Sequence, residues 1–284
     1  MEDQPPPELP PLLCHNVWQA FCAHHVDDPD ENGHHLYRLE RFSADAVRPF
    51  ERVFVKTDHL DAFLKTVRCT IPVPFVLVTG HSDLCPSDFA LARVMTDPGI
   101  VRWYAENCAV ETFKLSAIPR GLAEPHARHG DQMAVLRANA RAGTRPKRRV
   151  AALPIERPDH PMAAILDRRE VRDHPRVDCA QGPTTFEAYL DHIASSEYCI
   201  CVRGPSIDCH AVYEALMVRT VPIYIGSSVP AVYRRLPVIV LQPGGIDALL
   251  SLLDDLPAAP APGDPIWSSA AELMQTADAL NKWC

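Results

Sequence analysis

The segment from Ser195 to Leu241 decides the fold class, and it reads SSEYCICVRGPSIDCHAVYEALMVRTVPIYIGSSVPAVYRRLPVIVL. Its apolar runs Tyr198–Val202, Val221–Ile225 and Pro237–Leu241 have the length of buried strands. Between the first two runs, Asp208–Val218 carries apolar residues at helical spacing. Short apolar strands that alternate with helices are typical of a parallel sheet covered by helices on both faces. The segment therefore predicts an α/β domain.

The same alternation appears earlier in the chain. Arg52–Thr57 and Pro74–Thr79 are runs of strand length, and Asp58–Val67 between them has its apolar residues at helical spacing. Ser87 then precedes a second helical pattern that runs to Met95, and serine is a favoured capping residue at a helix start. We therefore expect a second α/β domain in this part of the chain.

A basic stretch separates the two patterns. From Arg137 to Arg149 the chain has six basic and no acidic side chains, with a glycine and a proline among them. Such a composition indicates a linker that follows the end of a helix. We predict two α/β domains with a cleft between them, one formed by residues 1–135 and the other by residues 136–265.

The composition argues against several classes of protein. The chain of 284 residues has 28 basic and 36 acidic side chains, and the resulting net charge of −8 disfavours binding to nucleic acid. No apolar run reaches the ~20 residues of a membrane helix, and the first residues lack the basic start and apolar core of a signal peptide. The histidines and cysteines near the N-terminus lack the spacing of a zinc site. We expect a cytoplasmic protein with no nucleic-acid partner, membrane span or metal site.

Ligands of parallel sheets bind at the carboxyl ends of the strands. The turn after Thr79 is Gly80-His81-Ser82-Asp83, which places an imidazole, a hydroxyl and a carboxylate at such an end. The Asp83 carboxylate has the chemistry of a general base toward a hydroxyl group. The alternative is a polar turn whose side chains only cap the local backbone.

The turn after Val202 offers groups suited to a diphosphate. Arg203 provides a bidentate positive charge, and the helix that starts near Asp208 presents free N–H groups at its N-terminus. Glu214 has the chemistry to accept hydrogen bonds from a ribose. The alternative is that Asp208 only caps the helix and that Glu214 is a surface carboxylate. The turn after Ile225 adds hydroxyl groups that either bind the same anion or cap the next helix.

Ser195–Leu241 resembles the donor-binding half of exostosin-like glycosyltransferases. The shared pattern is a strand, a turn, Asp-x-His, a helix with aromatic-Glu-Ala-Leu, and a Pro-Ile strand. FVKTDHLDAF, PFVLVTGHSD and WYAENCAVETFKLSAIPRGL, within residues 54–122, are similar to the acceptor half of the same group. Small members encoded by large DNA viruses, a xylosyltransferase among them, show the strongest resemblance.

The resemblance implies the GT-B architecture, in which two Rossmann-like domains face each other across a cleft. The C-terminal segment 266–284 would then form a helix that crosses back to the first domain. The implied reaction moves a sugar from a nucleotide-sugar, most often a UDP-sugar, to a glycan or glycoprotein hydroxyl, without a metal or another cofactor. Inverting members take their base from the first domain, and Asp83 matches that position best.

The resemblance also extends the set of candidate site residues. The candidate donor-binding residues are Arg203, Gly204, Ser206, Asp208, His210, Glu214, Ser227 and Ser228. Further candidates for contacts to the acceptor or the diphosphate are Asp58, His81, Ser82 and Arg120. Pro205-Ser206 stands where relatives often have Asn-Gly, and Ala211 stands where they often have arginine. These departures keep an alternative open, a non-catalytic nucleotide- or carbohydrate-binding protein on the same scaffold.

Overall fold

The computed structural model of the chain describes residues 12–25, 27–29, 35–37, 39–124, 127, 130–142, 148–152, 163–179, 185–241, 245–261 and 263–274. The centre of the predicted linker, residues 143–147, and the predicted tail beyond Met274 lie outside the described residues.

The described strands are β1 His24–His25, β2 Asp27–Pro29, β3 His35–Tyr37, β4 Arg52–Lys56, β5 Phe75–Gly80, β6 Ile100–Ala105, β7 Leu115–Ala117, β8 Arg148–Ala152, β9 Val177–Cys179, β10 Ser196–Val202, β11 Val221–Ile225 and β12 Ile239–Leu241. The α-helices are α1 His15–Ala20, α2 Leu60–Thr66, α3 Asp88–Thr96, α4 Gln132–Ala142, α5 Ala163–Leu166, α6 Arg169–Arg172, α7 Phe186–Ala194, α8 His210–Met217, α9 Gly245–Asp254 and α10 Pro265–Leu273. The 3₁₀ helices are Leu39–Arg41, Ala44–Ala46, Thr57–His59, Arg68–Thr70 and Ala231–Arg235. None of the described helices is long and apolar enough to cross a membrane.

Five parallel strands form the sheet of the first half, which is the chain up to residue 124. Their order is β1-β4-β5-β6-β7. Neighbouring strands of this sheet therefore follow one another in the chain, except that β2 and β3 come between β1 and β4 and belong to another sheet. The strands β4 and β5 are buried along most of their length, because helices cover a parallel sheet on both faces. The short strands β2 and β3 form a separate antiparallel pair.

The second half, from residue 130 onward, contains another parallel sheet. Its order is β12-β11-β10-β8-β9. Numbered by chain position within this half, that order is 2-1-3-4-5 when it is read from the β9 edge. The direction of winding therefore reverses between β8 and β10, and ligands of such sheets bind at this switch point, beyond the carboxyl ends of the strands. The residue that follows β10 is Arg203.

These two sheets confirm the predicted pair of Rossmann-like α/β units. The Ser87 hydroxyl accepts a hydrogen bond from the Ala90 amide, as expected for the cap of α3. The strand β6 was not predicted, because Arg102 interrupts its apolar run. The tail helix α10 begins at Pro265, one residue before the segment 266–284 that was expected to be helical.

The limits of the predicted domains and the path of the tail stay predictions. The boundary between residues 135 and 136 falls inside α4, which packs against α7 and α8. The tail helix α10 also packs against α8, and the Met274 carbonyl after it accepts a hydrogen bond from the Leu13 amide at 2.8 Å. The described part of the tail therefore contacts both halves.

Candidate active site

The turn after β5 is held in place by the residues that follow β6. A Cβ atom on Gly80 would lie 2.6 Å from the Glu106 side chain, so a larger residue would force that carboxylate or the turn to move. Glu106 Oε2 in turn accepts a hydrogen bond from the His81 amide at 3.0 Å. The His81 backbone has a φ of 56°, in the left-handed region. Ser82 is buried, and its hydroxyl accepts from the Leu84 amide at 3.0 Å, which matches the capping alternative.

Asp83 is the exposed carboxylate of this turn. Its side chain is 52% exposed, and its Oδ1 accepts a hydrogen bond from Arg120 Nη1 at 2.9 Å. The Asp83 carbonyl accepts a hydrogen bond from the Asn107 side-chain amide at 2.6 Å. The backbone of the turn is therefore anchored while the carboxylate stays accessible to a ligand.

Arg120 connects this carboxylate to the second half. Its backbone amide donates to Asp208 Oδ2 at 2.9 Å, and the Tyr213 hydroxyl donates to the same oxygen at 2.8 Å. Asp208 is fully buried. Burial raises the pKa of its carboxyl to about 6, although the hydrogen bonds from Arg120 and Tyr213 act to lower it. The structure therefore brings together Asp83, Arg120 and Asp208, three of the residues predicted from the sequence.

Asn107 makes a second connection between the halves. Its Oδ1 accepts hydrogen bonds from the Ile207 amide at 2.9 Å and from the Asp208 amide at 3.0 Å. The side chain thus bonds to the Asp83 turn on one side and to the turn before α8 on the other. Asn107 is 1% exposed, and its φ is 53°.

Glu106 is a buried carboxyl beside these connections. Burial raises its pKa to about 7, and the nearby charges of His81 and Arg120 act to lower it. His81 Nε2 lies 3.9 Å from Glu124 Oε1, and its ring packs edge-on against Phe54 with the centroids 5.1 Å apart. The imidazole of His81 is therefore enclosed behind the turn that presents Asp83.

The turn after β10 presents Arg203 at the switch point of the second sheet. Arg203 Nη1 donates to the Ser227 hydroxyl at 2.9 Å, while its Nε is buried without a hydrogen-bond partner among the described residues. Apart from its chain neighbours, no described residue has an atom within 4 Å of the position of a Cβ on Gly204. Partial burial raises the pKa of the Cys85 thiol, and the Arg203 charge opposes this effect. The charge of Arg203 therefore acts on the segment that follows Asp83.

The other predicted donor residues bond inside the protein. The Ser206 hydroxyl donates to the Asp208 carbonyl at 2.6 Å. His210 Nδ1 lies 2.8 Å from the Gly121 carbonyl oxygen, which requires a proton on that nitrogen. The Ser228 carbonyl accepts from the Tyr224 hydroxyl at 2.9 Å. The helix α8 begins at His210 with Cys209 as its cap, so Asp208 is not the capping residue.

Glu214 and Asp58 have other partners than Asp83, Arg120 and Asp208. Glu214 is 2% exposed, and its Oε2 accepts a hydrogen bond from the Tyr189 hydroxyl at 2.5 Å. Burial raises the pKa of Glu214 to about 7. The surface-carboxylate alternative for Glu214 is therefore wrong. Asp58 is exposed and lies 3.7 Å from Lys56 Nζ.

Sequence reasoning missed Glu106 and Asn107. Both directly follow β6, so the rule that places ligands at the carboxyl ends of strands would have indicated them once that strand was recognised. Among the described residues, no group of three or more His, Cys, Asp or Glu side chains is arranged to hold a metal ion.

Comparison with known proteins does not assign the chain to a family. No family model matches the sequence, and no curated protein matches it. Among the solved structures that match, a UDP-forming alpha,alpha-trehalose-phosphate synthase from Burkholderia xenovorans is 10% identical to the chain. The match covers 84% of this chain and 73% of that protein, with a TM-score of 0.44. A likeness this distant carries no argument about activity.

Proposed function

We propose that the chain is a GT-B glycosyltransferase that transfers a sugar from a nucleotide-sugar to a hydroxyl group of a glycan or glycoprotein. The observation that carries the proposal is the Arg120 connection. Arg120 contacts Asp83, which is the proposed base. It also contacts Asp208, which lies in the turn of the second half that resembles a donor-binding segment. The resemblance to exostosin-like enzymes in the same segments supports the assignment.

The donor would bind at the carboxyl end of β10. Arg203 has a buried Nε available as a donor, and the N-terminus of α8 adds the positive end of a helix dipole. These groups would stabilise the charge of the departing nucleoside diphosphate. We propose that they fulfil this role without a metal ion, and that UDP is the nucleotide, with xylose a candidate sugar.

The acceptor would bind on the side of Asp83. The Asp83 carboxylate takes the proton of the acceptor hydroxyl, and the resulting oxygen attacks the anomeric carbon. The bond between that carbon and the diphosphate oxygen breaks, and its electron pair leaves with the nucleoside diphosphate. Direct attack from the opposite face inverts the configuration of the sugar. The ion pair with Arg120 orients the Asp83 carboxylate for this step.

Binding and turnover experiments test the proposal separately. Calorimetry with UDP and GDP measures donor-site binding, and release of nucleoside diphosphate from UDP-xylose or UDP-glucose with a panel of glycan acceptors measures transfer. Binding with transfer supports a glycosyltransferase. Binding without any turnover supports the non-catalytic alternative, which the Pro205-Ser206 turn and Ala211 favour. Absence of both binding and turnover contradicts the proposal. Membership of the exostosin-like group, a viral origin and a cytoplasmic location remain part of the proposal.

A further inference from the structure

We propose that Asn107 is a positioning residue that fixes the Asp83 turn of the first half relative to the Ile207–Asp208 turn of the second. This inference rests on the proposed function, because it assigns these two turns to the acceptor and donor sides of one site. Asn107 itself is buried and would touch neither substrate.

The hydrogen-bonding groups of Asn107 match their partners without ambiguity. Its Nδ2 faces a carbonyl oxygen, that of Asp83, which only accepts hydrogen bonds. Its Oδ1 faces two backbone amides, those of Ile207 and Asp208, which only donate. The orientation of the amide is therefore fixed by its surroundings, and an aspartate or a leucine of similar size cannot make the same three bonds.

The backbone of Asn107 explains why an asparagine suits this position. Its φ of 53° lies in the left-handed region, which asparagine tolerates better than most residues with a side chain. The left-handed turn directly after β6 directs the side chain toward the second half while the main chain continues in the first. Ile207 and Asp208 are themselves buried, so water does not readily replace Asn107 as their acceptor.

The same two segments are joined by further bonds, which makes Asn107 part of a defined junction. The junction consists of the pairs Asn107–Ile207, Asn107–Asp208, Arg120–Asp208, Gly121–His210, Cys108–Ala231 and Glu111–Arg235. Within this set, Asn107 is the residue whose side chain bonds to both the Asp83 turn and the turn before α8. Loss of its side chain should therefore release both turns, whereas loss of one bonding group should release only one.

Two substitutions separate these effects. Asn107→Gly keeps the left-handed backbone without strain and removes all three hydrogen bonds. Asn107→Asp keeps an acceptor for the amides of Ile207 and Asp208 but places an oxygen against the Asp83 carbonyl. Phe50→Gly is the matched control, because Phe50 is an exposed residue at φ 66° outside the junction.

Hydrogen exchange of the unliganded protein gives the first readout. We expect the amides of Ile207 and Asp208 to exchange at least about ten-fold faster in Asn107→Gly than in the wild type. In Asn107→Asp and Phe50→Gly the rates at these two amides should stay close to the wild-type rates. Unchanged protection in Asn107→Gly would overturn the inference, and this holds even if the protein has no transferase activity.

Kinetics give the second readout, which a merely structural role would not produce. Asn107→Asp should keep the affinity for UDP within about two-fold and lower kcat for transfer from UDP-xylose or UDP-glucose by about ten-fold or more, because a displaced base is no longer aligned with the acceptor. Asn107→Gly should lower kcat and also weaken UDP binding by about ten-fold. A kcat of Asn107→Asp equal to that of the wild type would show that Asn107 does not position Asp83. If the wild type neither binds UDP nor transfers a sugar, the proposed function fails, and the exchange result alone decides whether Asn107 couples the turns.

Discussion

The backbone amide of Arg120 and the carboxylate of Asp208 are 2.9 Å apart, although 88 residues separate them in the chain and they belong to different halves. The guanidinium of the same arginine holds Asp83 at the same distance. Arg120 therefore helps to fix the relative position of the proposed base and the proposed donor turn, together with the side chain of Asn107. Charged groups held this way keep their geometry before a substrate arrives, as catalysis by preorganised charge requires.

Replacement of Asp83 by asparagine tests its role as the base. We expect Asp83→Asn to lower the rate of sugar transfer by about 10²-fold or more, because an amide cannot accept the acceptor proton. The affinity for UDP, measured by calorimetry, should change little. Stability should also change little, because an ion pair of a half-exposed side chain contributes at most about 1 kcal/mol.

Asp131→Asn is the matched control for this variant. Asp131 is 53% exposed and pairs with Arg137 at 3.3 Å, outside the site. Its transfer rate should equal that of the wild type. Near-normal transfer by Asp83→Asn would show that another group is the base.

Replacement of Arg203 by lysine tests the diphosphate contact. Lysine keeps the positive charge but lacks the planar group that bonds two oxygens at once. We expect Arg203→Lys to weaken UDP binding by about ten-fold, because the variant loses one charge-assisted hydrogen bond to the diphosphate. Arg169→Lys, at an exposed arginine on α6, is the control. If Arg203→Lys binds UDP as tightly as the wild type, Arg203 does not contact the diphosphate.

The buried Glu214 gives the stability of the protein a defined dependence on pH. Its pKa is raised from 4.5 to about 7 in the folded state, so the folded protein binds this proton more tightly than the unfolded chain. Proton binding by Glu214 therefore stabilises the folded protein fully below about pH 4.5, and this stabilisation is lost as the pH rises through about 7. We expect Glu214→Gln to raise the free energy of unfolding at pH 8 by an amount on the order of 2 kcal/mol. At pH 5 the difference between the variant and the wild type should be much smaller.

Urea unfolding at the two pH values measures this difference. Glutamine retains an oxygen that can accept from the Tyr189 hydroxyl, so the substitution removes mainly the ionisation. Glu187→Gln, at an exposed carboxylate on the neighbouring helix α7, is the control. An equal effect of Glu214→Gln at both pH values would contradict the raised pKa.

Gly80 tests how tightly the turn after β5 is packed. A Cβ atom at Gly80 would lie 2.6 Å from the Glu106 carboxylate, so Gly80→Ala forces the buried side chain or the turn to move. We expect a loss of about 1–3 kcal/mol in the free energy of unfolding. Gly263→Ala is the control, since no described residue other than its chain neighbours has an atom within 4 Å of the added Cβ. If Gly80→Ala loses no more free energy of unfolding than Gly263→Ala, the Glu106 side chain moves aside without cost.

The sequence predicted much of the fold because each half repeats strong local patterns. Runs such as Val221–Ile225 are apolar throughout, and the strand found there has the predicted bounds. The strand Ile100–Ala105 was missed since Arg102 and Tyr104 make its pattern ambiguous. Arg102 lies partly exposed and bonds to the Phe113 carbonyl, a contact that depends on the folded sheet.

The candidate site was predictable only in part. Asp83, Arg203 and Asp208 lie in turns that follow predicted strands, and ligands of parallel sheets bind beyond the carboxyl ends of the strands. The contacts of Asn107 and Arg120 reach across about 90 to 100 residues of chain, and no local pattern encodes such distances. Glu214 was expected to face a ribose, and its bond to Tyr189 in the interior depends on the packing of α7 against α8.

The hydrogen bonds of the junction also affect how the protein unfolds. The amides of Ile207 and Asp208 are buried donors whose acceptor belongs to the first half, and such donors are costly to leave unsatisfied. Separation of the halves would remove that acceptor and admit water to a buried surface. The halves should therefore melt as one cooperative unit rather than as two independent domains. During synthesis, the turn that carries Asp208 would become ordered only by docking onto a first half that has already folded.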